Sequence, residues 1–360
     1  MTTLQYNKRL LLKGNEAAVY GALIAGCDCY FGYPITPASE VAQSAALLFP
    51  QLNRTFLQAE SEIGAINMVI GGAAAGKRVM TGSSGLGISL KQEGMSYLAA
   101  YEMPALIIDV TRGGPGLGNI GPEQADYFQL VKGGGHGSYH CLVFTPNSAQ
   151  EMCDMSIKAF ELAEKYRMPA YVMADGVIGQ MMESVLLPDP KEFDYDPEWK
   201  MGRYVDGEAQ VITSIYMEYN DLEALNKRLQ AKYREIEKNE QSYEEYMADD
   251  AEVLIVAYGI CSRIARGVVD TMRAEGVKVG LVRPKMVYPF PVDPLKKHVE
   301  NGTVKAVMSL EMSAGQMIED VRLAVECKVP VYLQNRMGGN IPSGAEVIEG
   351  VKNIFKEIAK

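Results

Sequence analysis

Arg112 opens the run Arg112-Gly113-Gly114-Pro115-Gly116-Leu117-Gly118, directly after the apolar stretch Ala105–Val110. A planar guanidinium set among flexible glycines at the carboxyl end of a strand suits a carboxylate, because ligands of open α/β sheets bind at such strand ends. An arginine in a purely structural ion pair fits the same spacing equally well. Three further glycine-rich stretches invite a ligand. Gly82-Ser83-Ser84-Gly85-Leu86-Gly87 stands between a strand-like segment and the helix-like Ile88–Tyr101, so its amides can face an anion or the edge of a cofactor. Gly133-Gly134-Gly135-His136-Gly137 has the flexibility of a lid, with His136 equally at home as a surface histidine. Gly71 to Arg78 nearly spells a phosphate loop, but Arg78 replaces the magnesium-binding Ser or Thr, and the run continues a helical pattern from Ile63. Small residues for close helix packing explain it better.

The elements that must position these residues follow from periodicity. Strands are predicted at Cys29–Phe31, Thr55–Gln58, Arg78–Gly82, Ala105–Val110, Leu142–Thr145 and Ala170–Ala174, each followed by turn residues and a helical segment. This alternation predicts a parallel sheet covered on both faces. Residues 188–201, rich in Asp, Pro and Tyr, read as an irregular linker. Asp221–Tyr246 reads as one long amphipathic helix with Leu222, Leu225, Leu229, Tyr233 and Ile236 on one face, covering its own domain or a neighbouring subunit. A second alternating region has strands at Val253–Ala257, Val277–Val282, Ala306–Leu310 and Val329–Leu333, with a terminal helix from Ala345. The fold class expected is α/β, two three-layer αβα domains with largely parallel sheets, divided as 1–190, a linker and long helix over 191–250, and 251–360.

Composition narrows the function. The 360 residues carry a formal net charge of -10, which disfavours nucleic acid as a partner. No apolar run is long enough for a bilayer, and residues 1–9 lack a signal peptide's apolar stretch, so a cytoplasmic protein is expected. Six cysteines, none in a C-x-x-C pair, and three histidines predict reduced thiols and no metal held by this chain.

Three segments together are specific. Gly32-Tyr33-Pro34-Ile35-Thr36-Pro37-Ala38-Ser39-Glu40, Gln58-Ala59-Glu60-Ser61-Glu62-Ile63-Gly64-Ala65 and Arg112-Gly113-Gly114-Pro115 resemble the alpha subunit of the 2-oxoacid:ferredoxin oxidoreductases. The likeness covers nearly the whole chain, including Lys13-Gly14-Asn15-Glu16-Ala17 and Ser309-Leu310-Glu311-Met312-Ser313-Ala314-Gly315-Gln316. It implies a pyrimidine-binding thiamine diphosphate fold followed by a transketolase C-terminal-like domain. It also implies that Glu62 meets the ring nitrogen N1′ of the coenzyme's pyrimidine, favouring the imino tautomer whose exocyclic nitrogen removes the reactive proton. Such an acid needs an apolar, desolvated place. Glu60 is the competing carboxyl, and a solvated helix-start glutamate is the plain alternative for either. By the same resemblance Thr36 lies beside the reacting carbon and Arg112 clamps the oxoacid carboxylate. Tyr33, Pro34, Ile35, Ser84 and Gly85 wall the cofactor site.

The diphosphate-and-magnesium module of a complete thiamine enzyme contains Gly-Asp-Gly, which this chain lacks; Ala174-Asp175-Gly176 and Val205-Asp206-Gly207 come nearest. Iron–sulfur cysteines are also missing. The resemblance therefore implies a beta subunit supplying diphosphate contacts, magnesium and a cluster, gamma and ferredoxin-like delta subunits, ferredoxin as electron acceptor and coenzyme A as co-substrate. Within the family the glycine runs look most like the branched-chain (3-methyl-2-oxobutanoate) type. A 2-oxoglutarate enzyme, with Lys132 or Arg167 meeting the distal carboxylate, remains an alternative, as does a thiamine-dependent dehydrogenase component that does not use ferredoxin.

Overall fold

In a computed structural model, residues 6–190, 197–205, 207–209 and 211–360 are described. Parts of the expected linker, 191–196, 206 and 210, lie outside them. The first half runs β1 (Arg9–Lys13), α1 (Gly14–Ile24), β2 (Cys29–Gly32), α2 (Ser39–Gln51), β3 (Thr55–Gln58), α3 (Glu62–Ala74), β4 (Val79–Ser83), α4 (Leu86–Ala100), β5 (Ala105–Thr111), α5 (Tyr127–Val131), β6 (Leu142–Phe144), α6 (Ala149–Tyr166), β7 (Pro169–Asp175), α7 (Gly176–Gln180) and β8 (Met182–Leu186). Next come the two-residue strands β9 (Tyr204–Val205) and β10 (Glu208–Ala209), then α8 (Tyr219–Asn239) and β11 (Tyr243–Tyr246). The second half runs β12 (Val253–Val256), α9 (Gly259–Ala274), β13 (Val279–Pro284), β14 (Met286–Tyr288), α10 (Val292–Glu300), β15 (Ala306–Glu311), α11 (Met317–Ala324), β16 (Val331–Asn335) and α12 (Gly344–Ile358).

A seven-stranded sheet has the order β14-β6-β7-β5-β4-β2-β3 and a five-stranded sheet the order β11-β13-β12-β15-β16. Both are parallel except at one edge, where β14 pairs antiparallel with β6 and β11 antiparallel with β13. β5 and β7, buried along their full length, form the centre of the larger sheet, as expected for strands covered on both faces. The mixed α/β class with largely parallel sheets is as the sequence predicts. No described helix is long and apolar enough to cross a membrane.

The long helix is shorter than expected. α8 ends at Asn239, and Tyr243–Tyr246 is an edge strand whose alternate positions face out, Tyr243 and Glu245, and partly in, Glu244 and Tyr246. Leu225, Leu229, Tyr233 and Ile236 are buried, whereas Leu222 is exposed. The helix lies on its own chain: Lys232 and Arg228 reach Glu102 at 2.9 and 2.7 Å, and Tyr233 meets the stacked pair His140–Tyr288. The phosphate-loop lookalike is helix packing, as expected. A Cβ on Gly72 would stand 2.7 Å from Val79, and Arg78 is buried against Glu164.

Glu311 is the structural centre of the second half. This buried carboxyl accepts from the Ser309 and Ser313 hydroxyls and from the backbone N–H groups of Gln316, Met317 and Ile318, which open α11. Replacing it with Gln turns one acceptor oxygen into a donor facing other donors. We expect Glu311→Gln to destabilise the fold by about 2–3 kcal/mol, seen as a lowered denaturant midpoint.

Candidate functional site

The loop after β2 is held from several sides. Asn15 and Gln180 donate to the Pro37 carbonyl at 2.7 and 2.9 Å, and Arg112 donates to the Thr36 carbonyl at 2.9 Å. Glu40 ties the support together by accepting from Lys13, Asn15 and Gln180. Burial opposes its charge, but these three bonds outweigh it and bring its carboxyl to about 2. The Lys13-Gly14-Asn15 opening thus serves the loop rather than the ligand. Two prolines limit the loop's torsions, and these hydrogen bonds fix its place. Thr36 and Pro34 are exposed and Tyr33 and Ile35 half-buried.

Arg112 joins the loop segments. Its Nη2 donates to the Leu117 carbonyl at 3.0 Å, its side chain packs on Gly85, and its buried Nε has no partner among the described residues. Glu123 fixes the other wall by accepting from Gly114 N at 2.8 Å and Gly338 N at 2.9 Å. Gln124 and Gln316 stitch the second half on: Gln124 N donates to the Met312 carbonyl, and Gln316 pairs with Phe128 N and the Ala125 carbonyl. Together these elements enclose a cleft of about 760 Å³ lined by both halves, with Arg112, Glu123 and Asp126 among its polar residues. Leu86, Pro115, Ala125, Phe128, Ala314 and Met337 supply its apolar walls.

Glu62 separates from Glu60 by burial. It opens α3 behind the Ser61 cap and is 6% exposed, whereas Glu60 lies in solvent. Among the described residues no hydrogen bond engages its carboxyl, and Gly87 is the space it needs, since a Cβ there would stand 2.8 Å from Oε1. Beside it the hydroxyls of Thr81, Ser83 and Ser84 at the end of β4 are buried with no hydrogen-bond partner among the described residues. An acid and three hydroxyls, buried and unanswered, fit a flat heteroaromatic ring with hydrogen-bonding edges, such as an aminopyrimidine. Gly85, at φ 50°, makes the turn into α4.

Other polar groups here escaped sequence analysis. Asp109 and Asp126, from β5 and the turn before α5, are buried side by side, and Asp126 accepts from Gly85 N at 3.1 Å and from Gln129. Burial, then the neighbouring charge, raises the Asp109 carboxyl well above the ordinary aspartate range, so the pair holds a proton to higher pH than a free aspartate does. The folded chain then binds more protons than the unfolded one, and stability falls as pH rises past the ordinary aspartate value. An asparagine at this position needs no such proton. We expect Asp109→Asn to gain on the wild type by up to about 1.4 kcal/mol per pH unit in that window, read from unfolding midpoints at pH 4 to 7. A second unforeseen group, Lys91 of α4, is fully buried, and its ammonium has no hydrogen-bond partner among the described residues.

The run Gly133–Gly137 does not cover the cleft. Gly134 and Gly135 pack flat against Gln92 of α4, where any Cβ would collide, and His136 is exposed.

Solved structures share this arrangement. The 2-oxoglutarate:ferredoxin oxidoreductase from Magnetococcus marinus superposes with a TM-score of 0.84 at 24% identity over 96% of this chain, which spans 65% of that structure's own chain. A split-gene transketolase described as an inactive beta4 tetramer superposes at 0.58 and 15% identity. Two joined α/β units with largely parallel sheets are the fold this chain shares with them.

Sequence comparison gives the family. The pyruvate flavodoxin/ferredoxin oxidoreductase thiamine diphosphate-binding domain matches residues 20–245, and pyruvate:ferredoxin oxidoreductase core domain II matches residues 251–347. The ketoisovalerate oxidoreductase subunit VorB of Methanothermobacter marburgensis is 53% identical over 96% of this chain and 98% of its own. The 2-oxoglutarate synthase subunit KorA of Archaeoglobus fulgidus is 36% identical over 89% and 92%. The chain belongs to the 2-oxoacid:ferredoxin oxidoreductase family, as a subunit of an oxidoreductase acting on 2-oxoacids.

Proposed function

We propose that this chain is the subunit that receives the pyrimidine end of thiamine diphosphate on Glu62 and the carboxylate of a short branched aliphatic 2-oxoacid, such as 3-methyl-2-oxobutanoate, beside Arg112. Residues 1–190 would carry these side chains and 251–360 close the cleft. The bound coenzyme supplies a carbon nucleophile for the 2-oxo carbon and an acceptor for the electrons released as carbon dioxide leaves. Glu62 shares a proton with the ring nitrogen from a place shielded from water. Arg112, braced through Thr36 and Leu117, lines the cleft and would meet the substrate carboxylate there, with the Thr36 carbonyl held against its guanidinium. Ser84 and Gly85 face the ring's edge, with Tyr33, Pro34 and Ile35 as the opposite wall.

The observation that carries the substrate class is the lining of the cleft. Arg112 is its one cationic lining residue among the described residues, and the remaining charges, Glu123 and Asp126, are acidic. A second carboxylate would meet repulsion or hydrocarbon. Lys132 is tied to Asp320, and Arg167 lies over Trp199 beside Glu102, so neither lines the cleft. This favours an aliphatic tail over 2-oxoglutarate, in keeping with the closer identity to a ketoisovalerate oxidoreductase subunit than to 2-oxoglutarate synthase subunits. Partner subunits would bring the diphosphate contacts with magnesium and the iron–sulfur clusters, while coenzyme A takes the acyl group and ferredoxin the electrons.

The test is to purify the chain with its partners from the cytoplasmic fraction and screen 2-oxoacids for coenzyme A-dependent reduction of a viologen dye. Higher kcat/KM for 3-methyl-2-oxobutanoate than for 2-oxoglutarate is expected; the reverse order removes the substrate assignment.

A further inference from the structure

Lys91 is a buried cation that the chemistry described above does not use. α4 packs on α3 along a stripe of small residues. A Cβ on Gly87 would touch Glu62, and one on Gly94 would touch Ile66. Lys91 stands one turn after Gly87 and one before Gly94, so helical spacing puts it on that same face, between the two contacts. It is 0% exposed, and its ammonium has no hydrogen-bond partner among the described residues. A helix surface that folding drives against an apolar neighbour would be served better by Leu or Met; an unpaired buried ammonium is costly unless a charge answers it. Glu62 is the only charged residue of α3.

We propose that Lys91 is a positioning residue for the coenzyme contact: its buried ammonium is the counter-charge that fixes the orientation and charge state in which Glu62 meets the pyrimidine ring. The proposal rests on the role given to Glu62 above. Burial pulls the Lys91 ammonium down to about 8, and the negative charge of Glu62 acts in the opposite direction. The counter-charge is therefore present at neutral pH and lost as pH rises through about 8. Other titratable and charged groups against α4 are Tyr171 of β7 and Tyr139 of the loop after α5, both at Gln92, Asp126 of the Asp109–Asp126 pair, which accepts from Gly85 N, and Arg112, packed on Gly85. Glu93 and Tyr97 of α4 itself pair with each other on its exposed face, and His136 lies in solvent. Burial holds both tyrosines above their ordinary range and raises the carboxyls of the Asp109–Asp126 pair. Among the described residues the charge that acts on Lys91 is that of Glu62.

The experiment measures thiamine diphosphate affinity of the assembled oxidoreductase by calorimetry from pH 7 to 9.5, with steady-state kinetics alongside. Wild type is expected to lose affinity about tenfold across pH 8, the effect of one unit of coupling between two titrating groups. Lys91→Met, of similar length and no charge, is expected to bind about tenfold more weakly at pH 7 and to show a flat profile. Its kcat should fall while KM for the oxoacid stays within about twofold. Lys91→Arg, charged throughout the range, should keep neutral-pH affinity and lose the break. If Lys91→Met does not assemble, Lys91→Gln takes its place with the same expected outcome. A readout without coenzyme is the stability difference between wild type and Lys91→Met, which should change in favour of wild type as pH rises from about 8 towards the ordinary lysine range, because the unfolded chain then binds more protons. Binding profiles that superimpose, in a preparation where Glu62→Gln is inactive, overturn the proposal for Lys91 alone. Normal turnover of Glu62→Gln instead removes the role of Glu62 on which it rests.

Discussion

Glu62→Gln is expected to cut turnover about 1000-fold while leaving the subunit folded and assembled. The amide has the size of the acid, so Gly87 and the unpartnered hydroxyls of β4 still surround it without strain. What it lacks is a titratable proton. A positioned acid contributes rate only through the proton it shares as charge develops, so the loss belongs in kcat rather than in KM. Viologen reduction and analytical gel filtration check the two halves of the expectation. Full-rate turnover by the variant would contradict the role, and a dissociated complex would assign Glu62 to the scaffold. Glu60→Gln is the control: an exposed carboxyl at the same helix start should change rate less than about twofold.

Arg112→Ala is expected to raise KM for the 2-oxoacid about 100-fold or more, with a smaller fall in kcat. Losing one partner of a desolvated charge pair costs roughly 2–5 kcal/mol, and the carboxylate must then enter a cleft whose remaining charges are Glu123 and Asp126. Part of the loss comes from the loop, because Arg112 also holds the Thr36 and Leu117 carbonyls. Arg112→Lys separates these contributions. It restores the charge without the planar fork, so KM should recover partly while the loop bonds are lost. An unchanged KM in Arg112→Ala would leave the arginine as a loop brace only.

The sequence exposes the α/β alternation because β2 and β4 to β7 are short apolar runs closed by Gly, Pro, Ser or Asn, and buried parallel strands must look so. The antiparallel edge strands carry no such signature. Tyr243–Tyr246 follows a charged helix, holds two glutamates between its tyrosines and pairs with β13, a contact invisible along the chain. β14 is similar: three residues of the second half complete the sheet of the first. At the site, the loop with Thr36, the β4 turn with Gly85 and Arg112 meet as their strand-end positions imply. Residue types alone leave Glu60 and Glu62 even at one helix start and the family resemblance picks Glu62; the fold adds that Glu62 is buried while Glu60 lies in solvent. Asp109 and Asp126 are joined only by the fold. Lys91 sits in Ser-Leu-Lys-Gln-Glu, where lysine reads as a solvated helix face; the available signal was the spacing of Gly87, Lys91 and Gly94, which places a charge on the glycine-lined packing face.

The most direct measurement is a structure of the assembled oxidoreductase with thiamine diphosphate bound. One carboxyl oxygen of Glu62 should lie within about 3 Å of the ring nitrogen N1′, with Ser84 and Gly85 against the ring. A Glu62 side chain turned to solvent, or a pyrimidine ring held by another subunit alone, would contradict the account.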